Sequence, residues 1–295
     1  MTTLLHLRLW PLRVLWVVLA LAAAGPAADA LDQRSTAVAA ALAVTAWVAW
    51  GAALVALLVP RTSSMTVARI VVPAGAVGAI LVVALGNDST LADAATVLVG
   101  ALAIVAVLAP WTTDAFVDGS SYGPERRIAL RTPLALVLLA VVTWAVTVTG
   151  AVGAVLLIAA QQWAAGMGAV VLAAAVVWFG ARSIHQLSKR WLFLVPTGLV
   201  IHDPLVMPEP QLFLRQTMAR LGPAESEVGA EVITDDLTAG ASGLVMSITL
   251  TEPVELLVRD GSRGTTLRPV DRVLFTPALP AQLLAEARQR RLPVA

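Results

Sequence analysis

Long apolar stretches alternate with short polar connections over the first two thirds of the chain. A helix needs about 20 apolar residues to cross the ~30 Å hydrocarbon core of a bilayer. Six stretches near this length contain no Asp, Glu, Lys or Arg between their ends. The shorter ones reach a full span when flanking polar residues are included, since their side chains can extend toward the headgroups. We predict an α-helical multi-pass membrane protein with about six transmembrane helices, at residues 14–28, 37–59, 70–85, 94–109, 134–149 and 163–181.

The basic residues of the connections are distributed unevenly. Ten of them flank one side of the predicted membrane region, and one, Arg34, flanks the other side beside several aspartates. Because basic residues accumulate in cytoplasmic loops, we expect an integral plasma-membrane protein with both termini in the cytoplasm. The ten residues that predict this orientation are Arg8, Arg13, Arg61, Arg69, Arg126, Arg127, Arg131, Arg182, Lys189 and Arg190.

Two segments have more than one interpretation. Arg8 and Arg13 precede a short apolar run and the small residues Ala28 and Ala30, a pattern that also fits a cleaved signal peptide. Cleavage would leave five spans and the same cytoplasmic C-terminus. The apolar but glycine-interrupted residues 150–162 are predicted to form a short external or re-entrant segment between the fifth and sixth spans.

The composition changes after the last span. Of the 39 charged residues, 24 follow Ala181, half of them basic and half acidic. We therefore divide the chain into a transmembrane domain, residues 1–182, and a cytoplasmic domain, residues 183–295. Since the charges of the second part balance, residues 188–295 are expected to fold on their own core.

Patterns within the second part predict strands and one helix. Two short apolar runs on either side of Pro196-Thr197-Gly198 indicate a hairpin. Residues 244–251 alternate with the period of a half-buried strand. A final amphipathic helix is predicted to begin with Thr276 as N-cap and Pro277 at its first position. The pattern favours a β-rich domain that ends in an α-helix.

Composition narrows the possible chemistry. Hydrophobic residues make up 58% of the 295 positions and charged residues 13%, and the net charge of +1 gives no electrostatic basis for binding nucleic acid. The chain has no cysteine and three widely separated histidines. Disulfides, thiolate nucleophiles and the usual metal sites are therefore not expected. We assign no catalytic residue, no cofactor and no metal ligand.

The longest connection between spans, residues 111–131, carries the candidate site. Its Gly119-Ser120-Ser121-Tyr122-Gly123 run matches G-x-S-x-G, but no strand is predicted before it, so a serine hydrolase is not favoured. Hydroxyls and backbone N–H groups beside two arginines could instead hold a phosphate or a lipid headgroup. The alternative is a turn followed by topology-determining arginines. The candidate anion or interaction site comprises Asp118, Ser120, Ser121, Tyr122, Arg126 and Arg127.

The same loop is expected to lie on the domain. It is too long for a simple turn between helices and carries charges of both signs, which suits a segment in contact with protein. We expect Arg126 and Arg127 to contact the C-terminal domain or a bound anion. A juxtamembrane basic group after the last span could attract anionic lipid or act as a topology signal alone. Its members are Arg182, Lys189 and Arg190.

Two further polar features have structural interpretations. His202 and Asp203 are adjacent on a predicted strand and so point to opposite faces, which leaves Asp203-Pro204 as the start of a turn. Within the spans, the polar groups are hydroxyls, and the small pair Gly75 and Ala79 suits close packing of helices more than a permeation site.

The C-terminal part resembles a known domain type. The opening Lys189-Arg190-Trp191-Leu-Phe-Leu-Val-Pro-Thr-Gly-Leu-Val-Ile-His-Asp203 is similar to the start of bacterial PH-like domains, in which a basic and aromatic pair leaves the membrane and a Gly-containing turn joins the first two strands. The resemblance implies a bent β-sandwich or barrel capped by a C-terminal helix. Residues 205–222 depart from a plain strand pattern. With 19 Arg against one Lys, the whole chain resembles uncharacterised multi-pass proteins of high-GC Gram-positive, actinobacterial type.

Three functions are compatible with these features. The leading hypothesis is a non-enzymatic membrane protein that anchors a PH-like interaction domain, as a subunit of a cell-envelope complex, with a protein partner, a second copy or the bilayer surface as its ligand. A transporter or channel-like subunit for a small or lipidic molecule would need a polar cavity among the spans. A membrane enzyme acting on lipids would depend on the loop residues Asp118, Ser120, Tyr122 and Arg126.

Overall fold

The structure of the chain is a computed structural model that describes residues 2–86, 90–225, 232–259 and 264–295, with side chains from Arg8 onward. It divides into two compact units. The first comprises Met1–Phe116 and Ala140–His185, and the second comprises Val117–Leu139 and Gln186–Ala295. The connection between the fourth and fifth spans is therefore part of the unit that contains the C-terminal residues.

The first unit is helical. Among the described residues, six of its helices are long and apolar enough to cross a membrane, which confirms the multi-pass character of the protein. A seventh, shorter helix, α5, follows the fourth span and runs across the boundary of the units. The helices are α1 (Thr2–Asp32), α2 (Thr36–Leu58), α3 (Thr62–Leu85), α4 (Leu91–Leu108), α5 (Pro110–Asp118), α6 (Leu134–Ala159) and α7 (Trp163–Leu187).

The prediction of an external or re-entrant segment at residues 150–162 is wrong. Helix α6 continues through Gly150 and Gly153 to Ala159 and has 26 residues, a length of about 39 Å at 1.5 Å per residue. Glycine weakens an isolated helix in water, but in an apolar environment the backbone N–H and C=O groups must be satisfied within the segment, which favours the helix. A turn at residues 160–162 is all that separates α6 from α7.

Helix α1 is packed into the first unit. Arg13 donates from Nε and Nη2 to the carbonyl of Leu57 at the end of α2, at 3.0 and 2.8 Å. A cation at this place also complements the negative end of the helix dipole. The indole of Trp16 on α1 donates to the carbonyl of Trp50 on α2. A Cβ added at Gly75 on α3 would lie 2.7 Å from the ring of Trp16. The expectation that Gly75 permits close helix packing is thereby confirmed.

In the part of the second unit that the structure describes, the strands form two four-stranded sheets. The first sheet has the order β1-β2-β3-β4 and is antiparallel throughout, while the second has the order β5-β7-β8-β6, with β6 parallel to β8. The strands are β1 (Arg126–Ala129), β2 (Trp191–Val195), β3 (Gly198–His202), β4 (Gln211–Leu214), β5 (Met218–Pro223), β6 (Thr234–Asp236), β7 (Met246–Arg259) and β8 (Thr265–Phe275).

One hydrophobic core lies between these sheets. It takes alternate residues from the strands of both, for example Leu192, Phe213 and Ile248, and it includes Ile128 of β1. The predicted hairpin is confirmed, because β2 and β3 pair across a two-residue turn at Pro196-Thr197. At its end, a Cβ on Gly198 would overlap the carbonyl of Phe213 on β4. Glycine is therefore required there by the close approach of the next strand.

The C-terminal helix α8 (Pro280–Gln289) packs on this core through Leu283 and Ala287. Its predicted start was wrong, because Leu279 is the N-cap and Pro280 is the first helical residue. Thr276 and Pro277 are instead extended beside β1, where the carbonyl of Thr276 accepts a backbone hydrogen bond from Arg131. A backbone pairing with a residue distant in sequence has replaced the local capping signal.

Candidate functional site

The candidate loop contributes a strand to the domain. Helix α5 ends at Asp118, and the chain turns to reach β1 at Arg126, which pairs with Leu194 of β2. The ladder runs antiparallel from Arg126 to Ala129. The expectation that Arg126 and Arg127 contact the domain is therefore confirmed, and the contact is made by their backbone as well as their side chains.

The carboxylate of Asp118 organises this turn. Its Oδ1 lies 2.7 Å from Nη1 of Arg126, and it accepts hydrogen bonds from the hydroxyl of Ser121 at 2.9 Å and the backbone N–H of Arg127 at 3.0 Å. Both charged side chains are 4% exposed. Because a buried charge is stable only when it is paired and hydrogen-bonded, these contacts satisfy both charges and connect the end of α5 to the start of β1.

Arg127 lies on the opposite face of β1. Its guanidinium carbon is 5.8 Å from the ring centres of both Trp191 and Phe193, within the range of a cation–π contact. Its Nη2 is 3.3 Å from a carboxylate oxygen of Glu125. The buried Nε has no hydrogen-bond partner among the described residues. The side chain therefore acts mainly through the aromatic rings that it covers.

The remaining candidate residues form the tip of the loop. Ser120 is half-buried, and Tyr122 is 79% exposed. Gly123 has a φ of +57°, a conformation that favours glycine. A nucleophile elbow needs a strand before its serine, whereas helix α5 precedes Ser121. The hydroxyl of Ser121 donates to Asp118, so the geometry is not that of a nucleophile elbow. The structure thus brings together Asp118, Ser121 and Arg126, while Tyr122 projects from the tip.

A second buried ion pair lies where the domain joins the last span. Arg190 approaches Asp203 with both Nε and Nη2, the latter 2.6 Å from Oδ2, and its Nη1 donates to the carbonyl of Arg131 at 2.6 Å. Arg190 and Asp203 are almost fully buried. Asp203 also accepts from the backbone N–H of Leu205 in the turn that the sequence predicted.

Sequence reasoning missed this pair, although a signal was present. The hairpin turn aligns Val195 with Gly198, and counting outward aligns Trp191 with His202. One further step places Arg190 opposite Asp203. Opposite charges directly across a strand pair stabilise it, so the register of the predicted hairpin was enough to find the contact.

The other juxtamembrane groups are more accessible. Arg182 is exposed, and Lys189 is half-buried. The ring of His202 lies 5.0 Å from that of Trp191. Burial lowers the pKa of His202, an effect that nearby Asp203 opposes and that Lys189 and Arg127 reinforce. His202 is therefore expected to be neutral at pH 7.

Three of the four outer strands are protected from pairing with another chain. The backbone of β1 bonds with residues 276–278, and Leu221 of β5 bonds with Pro293 and Ala295. Strand β6 is only three residues long and contains two aspartates. Short strands, inward or edge charges and covering segments are the usual protections of sheet edges.

The fourth outer strand, β4, lacks this protection within the described structure. Apart from its ladder with β3, the described backbone of β4 bonds only with nearby residues. The carbonyl of Leu214 accepts from the N–H and hydroxyl of Thr217, and the carbonyl of Leu212 accepts from Nε2 of Gln211 at 3.4 Å. Phe213 enters the core, whereas Leu212 and Leu214 are each 42% exposed. Among the described residues no strand pairs with this outer edge, and two apolar side chains lie on one face of the strand.

A metal site is the remaining kind of candidate site to consider among the described residues. No group of three or more His, Cys, Asp or Glu side chains among them could hold a metal ion. Comparisons with protein-family models, curated proteins and solved structures found no match to the chain.

Proposed function

We propose that the chain is a non-enzymatic integral plasma-membrane protein that anchors a cytoplasmic, PH-like interaction domain, and that this domain binds an extended segment of a protein partner along β4 as a subunit of a cell-envelope complex. The PH-like identity is supported by two sheets around one core followed by a C-terminal helix that packs on it. The exposed edge of β4, with Leu212 and Leu214 on one face, is the observation that carries the binding function.

An added strand suits this edge physically. An extended peptide can bond with the free backbone groups of an outer strand, and its alternate side chains then meet the exposed side chains of that strand. For β4 these are Leu212 and Leu214, so the partner segment would carry apolar residues at alternate positions. The main-chain bonds would supply affinity, and the leucine contacts would supply specificity.

A protein partner is favoured over the bilayer surface. Attraction to anionic lipid depends on basic side chains near the surface, each worth about 1 kcal/mol. Arg126 and Arg190 are engaged in ion pairs with Asp118 and Asp203 and are nearly inaccessible. The remaining basic groups of the junction, such as Arg182, suit orientation of the chain in the membrane.

Three threonine hydroxyls within the helices do not favour transport. The hydroxyls of Thr45, Thr96 and Thr147 donate back to carbonyls four residues earlier in their own helices, at Ala41, Ala92 and Thr143. Their donor hydrogens are thus satisfied locally and are not directed into a shared polar path. Likewise, Asp118 and Asp203 are held in ion pairs, which makes them poor candidates for general acids or bases.

The test uses the full-length chain in its native membrane. A photo-crosslinking residue at Leu212 is expected to capture one protein partner, while the same residue at Leu267, which is 58% exposed on β8, is not. The double variant Leu212→Asp with Leu214→Asp should reduce recovery of that partner at least about tenfold, or about 1.4 kcal/mol in binding free energy. The matched control is Leu244→Asp with Leu267→Asp, which should recover the partner normally. Equal recovery by both double variants would contradict binding at β4.

A further inference from the structure

We infer that β1 is an internal donor strand, so that the C-terminal domain completes its fold only when α6 and α7 leave β1 and β2 on the same side of the membrane. Strand β1 precedes α6 in the chain, and β2, the strand with which it pairs, follows α7. This inference does not depend on which partner binds β4. It concerns how the domain is assembled and how membrane topology controls that assembly.

Strand β1 and the two residues after it, Leu130 and Arg131, are together called the β1 segment. The backbone of this segment forms hydrogen bonds on both of its edges. On one edge it pairs with β2 from Arg126 to Ala129, and the N–H of Leu130 continues the ladder to the carbonyl of Arg190. On the other edge, the carbonyl of Ala129 accepts from Ala278, and the N–H of Arg131 donates to Thr276. The segment therefore joins the first sheet to the chain that follows β8.

Side chains of the segment complete the core. Ile128 is fully buried and Leu130 nearly so, and both belong to the cluster that includes Leu192 and Phe275. Removing the segment would leave a cavity there and would expose apolar groups of both sheets to water. It would also take away the carbonyl of Arg131, which accepts a hydrogen bond from the buried Arg190.

The start of β1 is held in place by its own connections. Arg8 of α1 forms an ion pair with Asp114 of α5 at 2.8 Å, and Arg69 of α3 donates to Thr113 of α5 at 2.8 Å. At the other end of α5, Asp118 binds Arg126 and the backbone of Arg127. The strand thus follows directly from a helix whose last residue, Asp118, binds the first two residues of the strand.

Chain order makes the pairing depend on two membrane crossings. Residues 126–129 and 191–194 form one ladder, so they must lie on the same side of the membrane. The two apolar helices between them, α6 and α7, must then cross an even number of times. If α7 failed to insert while α6 crossed, β2 would lie on the opposite side from β1, and the core would remain incomplete.

Cysteine pairs test the pairing in the full-length, membrane-inserted protein, because the chain has no cysteine of its own. Arg127 and Phe193 are directly opposite across the ladder, so Arg127→Cys with Phe193→Cys should form an intramolecular disulfide. Arg127→Cys with Trp191→Cys, a diagonal pair on the same face, is the matched control and should form little. A disulfide between two chains in place of one within a chain would overturn an internal donor strand.

Blocking α7 tests the dependence on insertion. Val170→Arg with Leu172→Arg places two charges within a span, which opposes its insertion. In the background of the opposed cysteine pair, these charges should abolish the disulfide and make the domain sensitive to added protease. Val170→Ser with Leu172→Ser is the control and should retain both the disulfide and protease resistance. A disulfide that persists when reporter fusions show that α6 crosses and α7 does not would overturn the inference.

Rescue separates a donor strand from a general packing defect. Ile128→Asp places a carboxylate in the core and should raise protease cleavage within residues 186–295 at least tenfold, without loss of membrane insertion. A second copy of residues 122–132, attached behind Ala295 by a flexible linker, should restore resistance by supplying the strand. The same copy carrying Ile128→Asp should not. Failure of the intact copy to restore resistance would count against the donor role.

Discussion

At the residue scale, the two buried ion pairs do different work from the topology signals that the sequence suggested. As exposed charges, Arg126 and Arg190 would each favour a cytoplasmic location for the segment that carries them. In the fold they neutralise Asp118 and Asp203 and hydrogen-bond to backbone carbonyls. The first pair joins the end of α5 to the start of β1, and the second joins the two ends of the hairpin. The bond from Arg190 to the carbonyl of Arg131 then connects the hairpin to the chain after β1.

The Arg190–Asp203 pair gives the first prediction. Asp203→Ala leaves the Arg190 charge buried without its partner, so the free energy of unfolding of the domain should fall by about 3–5 kcal/mol. Pulse proteolysis of the full chain across a urea series measures this change. The variant Arg190→Ala with Asp203→Ala should lose less than the sum of the single variants, whereas Glu252→Ala, an exposed control, should change stability by less than about 0.5 kcal/mol. Additive losses would contradict a coupled pair.

His202 gives a prediction about pH. Burial lowers its pKa in the folded domain below the unfolded value of about 6.5. Between the two pKa values the unfolded chain binds more protons than the folded chain. The contribution of His202 to stability should therefore be fully present above about pH 6.5 and should be lost as the pH falls through the folded pKa. His202→Gln should reduce the difference in urea midpoint between pH 7.5 and pH 5.5. An unchanged difference in that variant would show that His202 does not contribute.

At the element scale, β1 alters the expectation that residues 188–295 fold alone. Burial of a large aliphatic side chain contributes about 1.5–3 kcal/mol. Losing Ile128 and Leu130 together would therefore remove a substantial part of the 5–15 kcal/mol that is typical of a domain. The C-terminal piece alone also leaves the edge of β2 unpaired.

An excised domain tests this directly. Residues 188–295 alone should give no cooperative melt by circular dichroism, or a melt at least 10 °C below that of the completed domain, since ~1 kcal/mol shifts the melting temperature of a domain this size by about 4–8 °C. Residues 117–132 joined to 188–295 by a flexible linker should give a soluble, cooperatively melting β-rich protein. The linked chain with Ile128→Asp serves as the control and should resemble the isolated piece. Equal melting of all three would show that β1 is dispensable.

The sequence could predict those elements whose signals are local. The spans follow from uninterrupted apolar length, and the β2–β3 hairpin follows from two apolar runs around a short turn. Strand β1 could not be found in this way, because Arg126-Arg127-Ile128-Ala129 is too short for a periodic pattern and its arginines also serve as topology signals. Its partner lies about 60 residues later, beyond two spans. The start of α8 was misplaced for a related reason, since Thr276 pairs with Arg131.

At the scale of the whole molecule, the ladder between β1 and β2 adds an argument about topology that does not depend on charge. It requires the loop before α6 and the domain after α7 to lie on one side of the membrane. The distribution of basic residues predicts that this side is the cytoplasm. The two arguments are independent, because one counts crossings and the other counts arginines.

Reporter fusions to successively longer parts of the chain test both arguments together. Fusions behind Arg61, Tyr122 and Ala295 should report the cytoplasm, and those behind Asp32 and Gln162 should report the outside, since six crossings separate these positions alternately. Gln162 is the most informative site, because it follows α6 and precedes α7. A fusion with alkaline phosphatase should be active there, and one with a fluorescent protein that requires the cytoplasm should be dark.

Cytoplasmic signals at Tyr122, Gln162 and Ala295 together would mean that α6 and α7 do not cross, which would satisfy the ladder but contradict the six-span topology. Opposite signals at Tyr122 and Ala295 would contradict the ladder itself.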